Sequence, residues 1–306
     1  MIQAARDGFG PDGAPPPLTP TSVRMRSHAA AESARSLGFH LASILLAVAF
    51  LAAPRFAIAQ DPAPPLFQRI VLLGASATSG FEPSEPFGGP KTGQFLFAHY
   101  VEAALIGMHE PVATQASALL FLQAAEIMER QVAATVAAKP TLVIGLDTMF
   151  WFCYGAGMNA QQRAARFEAG LRLLERIDAP LVVGDIPDAT KAAGGILRKE
   201  ELPDSTTIAR CNDRLKAWAA GRKGVTVFPL ASMMARAAAN EEVTLAGKTW
   251  EKGKSGALIR GDHLHPSRPA LAALAIAMLD AAGPSLALVR DVEKVSAAGF
   301  ARGTGK

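Results

Sequence analysis

A three-layer α/β/α sandwich around a mostly parallel sheet of about five strands is the fold class that this 306-residue sequence predicts. Three observations lead there. Short apolar runs such as Ile70–Leu73 and residues 141–146 are continuous, not alternating, which implies strands buried on both faces. Between them lie longer segments whose apolar residues recur at helical spacing. Ser76, Asp147 and Asp185 each follow one of the runs, at the strand ends where an open parallel sheet binds its ligands.

Taken in order, Ile70–Leu73 reads as the first strand, and residues 95–106 as a helix. A weaker strand fits within residues 108–114. Residues 118–136 carry helical spacing, and residues 141–146, entered after Pro140, form the second clear strand. Residues 161–177 read as a helix with Glu168, Arg172 and Arg176 on its solvated face. Leu181–Gly184 follows Pro180 as a strand, residues 208–220 are helical, and Val225–Phe228 is strand-like. Arg268–Ala282 closes the series as an Ala/Leu-rich helix. The Pro/Gly-rich residues 81–92 and the long connection 186–206, with Gly194, Gly195 and Pro203, are expected as loops near the site. The domain is predicted over residues 69–290, with a flexible tail at 291–306, where small residues dominate.

The amino-terminal part reads differently. Residues 41–53 form an uncharged apolar run, Arg24, Arg26 and Arg35 precede it, and Ala57-Ile58-Ala59 follows with small residues. That is the pattern of a secretory signal peptide, so residues 1–59 are expected to be removed near Ala59/Gln60 and the chain exported to the periplasm or medium. The run is short for a membrane span, although an uncleaved anchor stays open, as does a start at Met25. Residues 60–68 would be an extended leader. Removing the five Lys/Arg and three Asp/Glu before residue 60 lowers the net charge from +4 to about +2, too little to argue for nucleic acid or an anionic membrane as partner. The two cysteines, Cys153 and Cys211, match no metal spacing. One disulfide between them and two separate buried thiols are equally compatible with export.

The chemistry rests on two segments. Residues 69–80 read Arg-Ile-Val-Leu-Leu-Gly-Ala-Ser-Ala-Thr-Ser-Gly, a buried strand running into a tight turn with Ser76 at its exit. Residues 262–265 read Asp-His-Leu-His, followed by Pro266. A serine hydroxyl is a weak nucleophile until a base takes its proton, and neutral imidazole does this near pH 7. His265 is the candidate base, and Asp262, three residues before it, the carboxylate that fixes its tautomer. Each residue has a plainer role: turn residue for Ser76, helix cap for Asp262, helix-entry histidine for His265. Asp262, His263 and His265 would make an awkward metal site, and no metal or other cofactor is expected. The glycines at 74 and 80 lack a phosphate-binding pattern.

Together these segments resemble the SGNH/GDSL hydrolase family, esterases and lipases on a flavodoxin-like sheet. Gly74-Ala75-Ser76 stands where that family has Gly-Asp-Ser, and Asp262-His263-Leu264-His265-Pro266 matches its Asp-x-x-His-Pro before a helix. Gly145-Leu146-Asp147-Thr148 stands at its Gly-x-Asn-Asp block. The resemblance implies an ester hydrolase with Ser76 as nucleophile, His265 as base and Asp262 as orienting acid, acting on a small, lipid or carbohydrate ester. It also implies an oxyanion hole from a backbone N–H at the nucleophile, a second-block Gly and a third-block Asn. Here Ala77, Ser117, Gly145 and Asp147 are the candidates for oxyanion or substrate contact. Asp147 replaces the Asn, and an ionised carboxylate would repel an oxyanion. Two roles are open for it: protonated in a dry site, or bound to a loop or a substrate hydroxyl. Trp151, Tyr154 and Asp185 are pocket candidates. A non-catalytic binding domain, or an acyltransferase acting on envelope glycans, would share these features.

Overall fold

The computed structural model describes residues 65–283 and 288–305. The signal-peptide pattern and residues 60–64 of the leader lie outside them. No helix among the described residues is long and apolar enough to cross a membrane.

Five strands build one all-parallel sheet: β1 (Ile70–Leu73), β2 (Ala113–Thr114), β3 (Leu142–Gly145), β4 (Leu181–Gly184) and β5 (Val225–Phe228), in the spatial order β2-β1-β3-β4-β5. The four longer strands fall where the apolar runs predict them. Their continuous apolarity is explained by side chains pointing alternately into two cores. Leu73, Val143, Leu181 and Val183 enter one, and Ile70, Leu72, Leu142, Ile144 and Val182 enter the other. β2 has only two residues, half-exposed at the sheet edge, which is why its sequence signal is weak.

Around the sheet run α1 (Ser76–Ser79), α2 (Pro90–Gly93), α3 (Phe97–Ala104), α4 (Ala124–Ala137), α5 (Phe150–Cys153), α6 (Ala160–Leu174), α7 (Ser205–Ala220), α8 (Leu230–Ala238), α9 (Arg268–Ala282) and α10 (Val292–Thr304). α4, α6 and α7 pack on one face of the sheet. α3, α9 and α10 form the core of the other. α9 is buried almost all round, from Ala270 to Ile276 and again at Met278 and Leu279, so small alanines let it approach its neighbours closely.

Two sequence expectations change. The stretch expected as a tail forms a helix: Val292, Val295 and Gly299 bury one stripe of α10, with Gly299 against the Tyr100 ring of α3. A Cβ on Gly299 would lie 2.6 Å from that ring, so the small residues serve close helix packing. The single helix expected at residues 118–136 is a 3-10 turn, Ala118–Phe121, followed by α4, with Ser117 Oγ accepting from the Leu119 N–H at the turn's start. A small antiparallel hairpin, β6 (Val243–Leu245) and β7 (Lys248–Trp250), turns at Ala246 and Gly247, both with positive φ. Cys153 and Cys211 are free and buried.

The strand order positions the site. From β1 the chain goes to β2 on one side and then to β3 on the other, so the exits of β1 and β3 flank the switch point where open α/β sheets bind ligands. Next to them, β4 ends in Gly184, where a Cβ would lie 2.2 Å from the Leu146 carbonyl oxygen. Gly184→Ala should therefore cost about 1–3 kcal/mol through overpacking at the strand exits. An unchanged urea midpoint for that variant would show that the exits are not so tightly juxtaposed.

Candidate active site

Ser76 opens α1, one residue beyond the turn that ends β1. The turn needs Gly74: its φ is +147°, and a Cβ there would meet Asp147 Oδ1 at 2.2 Å. Buried Gln131 of α4 holds the same glycine from below, accepting from its N–H at 3.2 Å and donating to its carbonyl at 3.0 Å. The other half of the site is the segment 259–266. An antiparallel bridge between Ile259 and Pro266, with the Arg260 N–H donating to the His265 carbonyl at 2.9 Å, closes it into a tight loop. Asp262 sits inside that loop, its Oδ1 accepting from the backbone of Leu264 at 3.0 Å and of His265 at 2.9 Å. It caps this turn and not α9, whose N-cap is Ser267.

The loop delivers His265, only 3 % exposed, to the serine. Ser76 Oγ lies 2.8 Å from His265 Nε2, and His265 Nδ1 lies 2.9 Å from Asp262 Oδ2. Residues 189 positions apart thus form one hydrogen-bonded line. His263 is exposed, with φ +59°, and takes no part. Burial pushes the Asp262 carboxyl up, but the bond and charge of His265, with the two backbone donors, outweigh it and hold it at about 2. The histidine ring is also held on its flat face. Phe81 stacks on it at 4.4 Å between centroids and 15° between planes. Arg260 secures Phe81 by donating to its carbonyl, pairs with Glu82 Oε2 at 2.6 Å, and lies 4.0 Å over the Phe95 ring.

Asp147, at the exit of β3, reaches across the switch point. Its Oδ1 accepts from the Ala75 N–H at 2.9 Å and the Thr78 hydroxyl at 2.6 Å, and its Oδ2 from the Ala77 N–H at 2.8 Å. Of the two roles left open by the sequence, the geometry matches the loop-binding one, the loop being the nucleophile turn itself.

The remaining oxyanion candidates are committed elsewhere. The Ala77 N–H is spent on Asp147. The Ser117 N–H donates to the Gly74 carbonyl at 3.0 Å. Gly145 lies inside β3, closely packed against Thr148, where a Cβ would meet the Thr148 hydroxyl at 2.5 Å. Among the described residues the Ser76 N–H has no intramolecular acceptor, so it is the donor free to face a developing negative charge.

An apolar cleft runs from Ser76 and His265 along the strand exits. Leu146, Phe150, Trp151, Met233, Leu264 and Leu274 are among the residues that make it apolar. Trp151 and Asp185 line it, as expected for pocket residues. Tyr154 does not: it is fully buried, stacked on Phe150 at 4.0 Å, donating to the Pro187 carbonyl at 2.8 Å and accepting from the Ala189 N–H at 2.9 Å. It supports the loop behind the cleft wall. α8, with Met233 and Met234 on the opposite wall, has no counterpart in the sequence reading, although the spacing of Leu230, Met233, Met234 and Ala237 is helical. Among the described residues no cluster of three His, Cys, Asp or Glu is placed to hold a metal ion.

Asp147→Asn should cost about 1–3 kcal/mol, because its amide would set a donor against the Ala77 N–H. A variant with unchanged melting temperature and unchanged ester turnover would show that the carboxylate does not organise the turn. Asp262 gives a second expectation. With its pKa near 2 when folded and about 3.9 unfolded, its stabilising contribution is complete above pH ~4 and lost as pH falls toward 2. Asp262→Asn should remove that part of the acid dependence. Equal steepness of the two stability curves between pH ~4 and ~2 would contradict it.

No family model and no curated protein sequence matches the chain. Among solved structures it is similar to the lipase/acylhydrolase from Enterococcus faecalis, at 15 % identity over 73 % of this chain and 98 % of that one, with a TM-score of 0.49. A gut microbial diltiazem-metabolizing enzyme aligns at 16 % identity over 71 % of this chain and 47 % of its own, TM-score 0.46. A protein described as lipolytic and of the G-D-S-L family, from Desulfitobacterium hafniense DCB-2, aligns at 14 % identity over 71 % and 99 %, TM-score 0.40. Likenesses at this level leave the chemistry to be argued from the residues themselves. In layout, the chain resembles the SGNH/GDSL hydrolases.

Proposed function

We propose that this chain is an ester hydrolase that works through an acyl-enzyme on Ser76. The observation that carries the reading is the unbroken line of hydrogen bonds from Ser76 Oγ through His265 to Asp262. Nucleophile, base and orienting acid then stand within bonding distance, beside an apolar cleft.

In this mechanism His265 Nε2 takes the Ser76 proton as Oγ bonds to the ester carbonyl carbon. The carbonyl electron pair moves onto oxygen, next to the Ser76 N–H at the start of α1. Collapse of this intermediate expels the alcohol, which receives the proton from His265. Water then enters by the same route, giving its proton to His265, and the acid leaves as Ser76 is restored. Asp262 stays ionised throughout and keeps the Nδ1 proton in place. The lining of the cleft favours an apolar acyl or alcohol group over a glycan.

The purified chain should cleave short-chain p-nitrophenyl esters, and Ser76→Ala should lower kcat by about 10³-fold or more. A fluorophosphonate probe should label the native chain at Ser76 and leave Ser76→Ala unlabelled. Labelling elsewhere, or equal turnover by the variant, would sink the assignment of Ser76.

A further inference from the structure

Asp185 stands out within the cleft. It leaves β4 directly after Gly184 and lines the same space as Ser76 and His265, yet it is only 6 % exposed. Its Oδ1 accepts from the Ala231 N–H in the first turn of α8 at 2.6 Å. Its Oδ2 makes no further well-formed hydrogen bond among the described residues, although the amides of Leu230 and of Asp185 itself lie close to the carboxylate. Nor is it one of the sealed, unpaired polar atoms, and the residue that carries it lines the cleft. Lys216, exposed on α7, acts on it only through space.

The other carboxylate at the cleft, Asp147, is fully engaged by three donors. The surrounding walls are aliphatic, aromatic and thioether groups. A carboxylate oxygen in such surroundings is costly unless something pairs with it. Burial accordingly pushes the Asp185 carboxyl up, and the Ala231 amide, the charge of Lys216 and the amides of Asp185 and Leu230 only partly offset this. One oxygen serves the Ala231 amide, and the other is left without a well-formed partner in a residue that lines an apolar cleft.

We propose that Asp185 Oδ2 is a binding subsite for an ammonium group carried on an apolar chain. The preferred substrates are then esters whose aliphatic or aromatic part bears a protonated amine. The word ester rests on the reading of Ser76 given above; the subsite does not. An ammonium supplies both the donor and the opposite charge, and such charge-assisted bonds are the stronger kind. A hydroxyl on the same chain supplies only the donor, so the two can be told apart.

The test is calorimetric titration of the full chain carrying Ser76→Ala with hexylammonium and with 1-hexanol near pH 7. Hexylammonium should bind at least about tenfold more tightly. Adding Asp185→Asn, which keeps an acceptor for the Ala231 N–H, should bring the ratio to about one. Adding Asp188→Asn, at an exposed carboxylate nearby, should leave it unchanged. Equal affinities in the parent, or a preference that survives Asp185→Asn, overturns the subsite. If Asp185→Asn does not fold, the ratio in the parent decides alone. Binding of hexylammonium by a chain that cleaves no ester would refute the hydrolase and leave the subsite standing. Ester cleavage with no ammonium preference would do the reverse.

Discussion

The carboxylate of Asp147 holds the nucleophile turn to the sheet, and the geometry around Ser76 depends on it. α1 is one short turn with no side-chain cap of its own, too short to be stable in isolation. Its first amides need an acceptor from outside, and Asp147 provides two oxygens for Ala75, Ala77 and Thr78. The acid comes from the neighbouring strand exit, so the position of Ser76 is fixed by β1 and β3 together. The resemblance to SGNH/GDSL hydrolases puts an acid beside the serine and an amide at position 147. Here alanine stands beside the serine and the acid stands at 147, with its charge directed at the amides of the turn.

The base is held by separate means. His265 has a partner on each ring nitrogen and an aromatic ring on one face, and its loop is closed by the bridge between Ile259 and Pro266. The nucleophile and base segments meet in the Ser76–His265 hydrogen bond and are tied together again by Phe81 and Glu82, which contact His265 and Arg260. The connection from β4 to α7 forms part of the cleft wall, and it is fixed from behind by Tyr154 and by Asn212, which exchanges two bonds with the Ile186 backbone at 2.7 and 2.9 Å.

Much of this was legible in the residues, for physical reasons. Strands buried on both faces leave unbroken apolar runs, so β1, β3, β4 and β5 can be read directly, and Asp262 and His265 carry a spacing that local geometry can satisfy. What sequence could not supply was the destination of each polar group. Nothing in Gly145-Leu146-Asp147 says that the carboxylate turns back onto residues 75–78, because that contact joins two strand exits about seventy residues apart. By sequence Ser117 and Ala77 are oxyanion candidates, and only the fold brings their amides to the Gly74 carbonyl and Asp147. α10 was overlooked because its buried stripe is made of Val292, Val295 and Gly299, and small residues give a weak apolar signal even where packing is tight. Arg260 and Phe81 form no motif; only the fold brings them to the histidine.

The stacking of Phe81 on His265 has an electrostatic consequence. An aromatic ring presents a negative quadrupole face, and an imidazole that gains a proton becomes a cation lying flat against it. The positive charge is then met from two perpendicular directions, in the ring plane by Asp262 and above it by the π electrons of Phe81. Arg260, the nearby cation that could oppose this, spends its own charge on Glu82 and the face of Phe95.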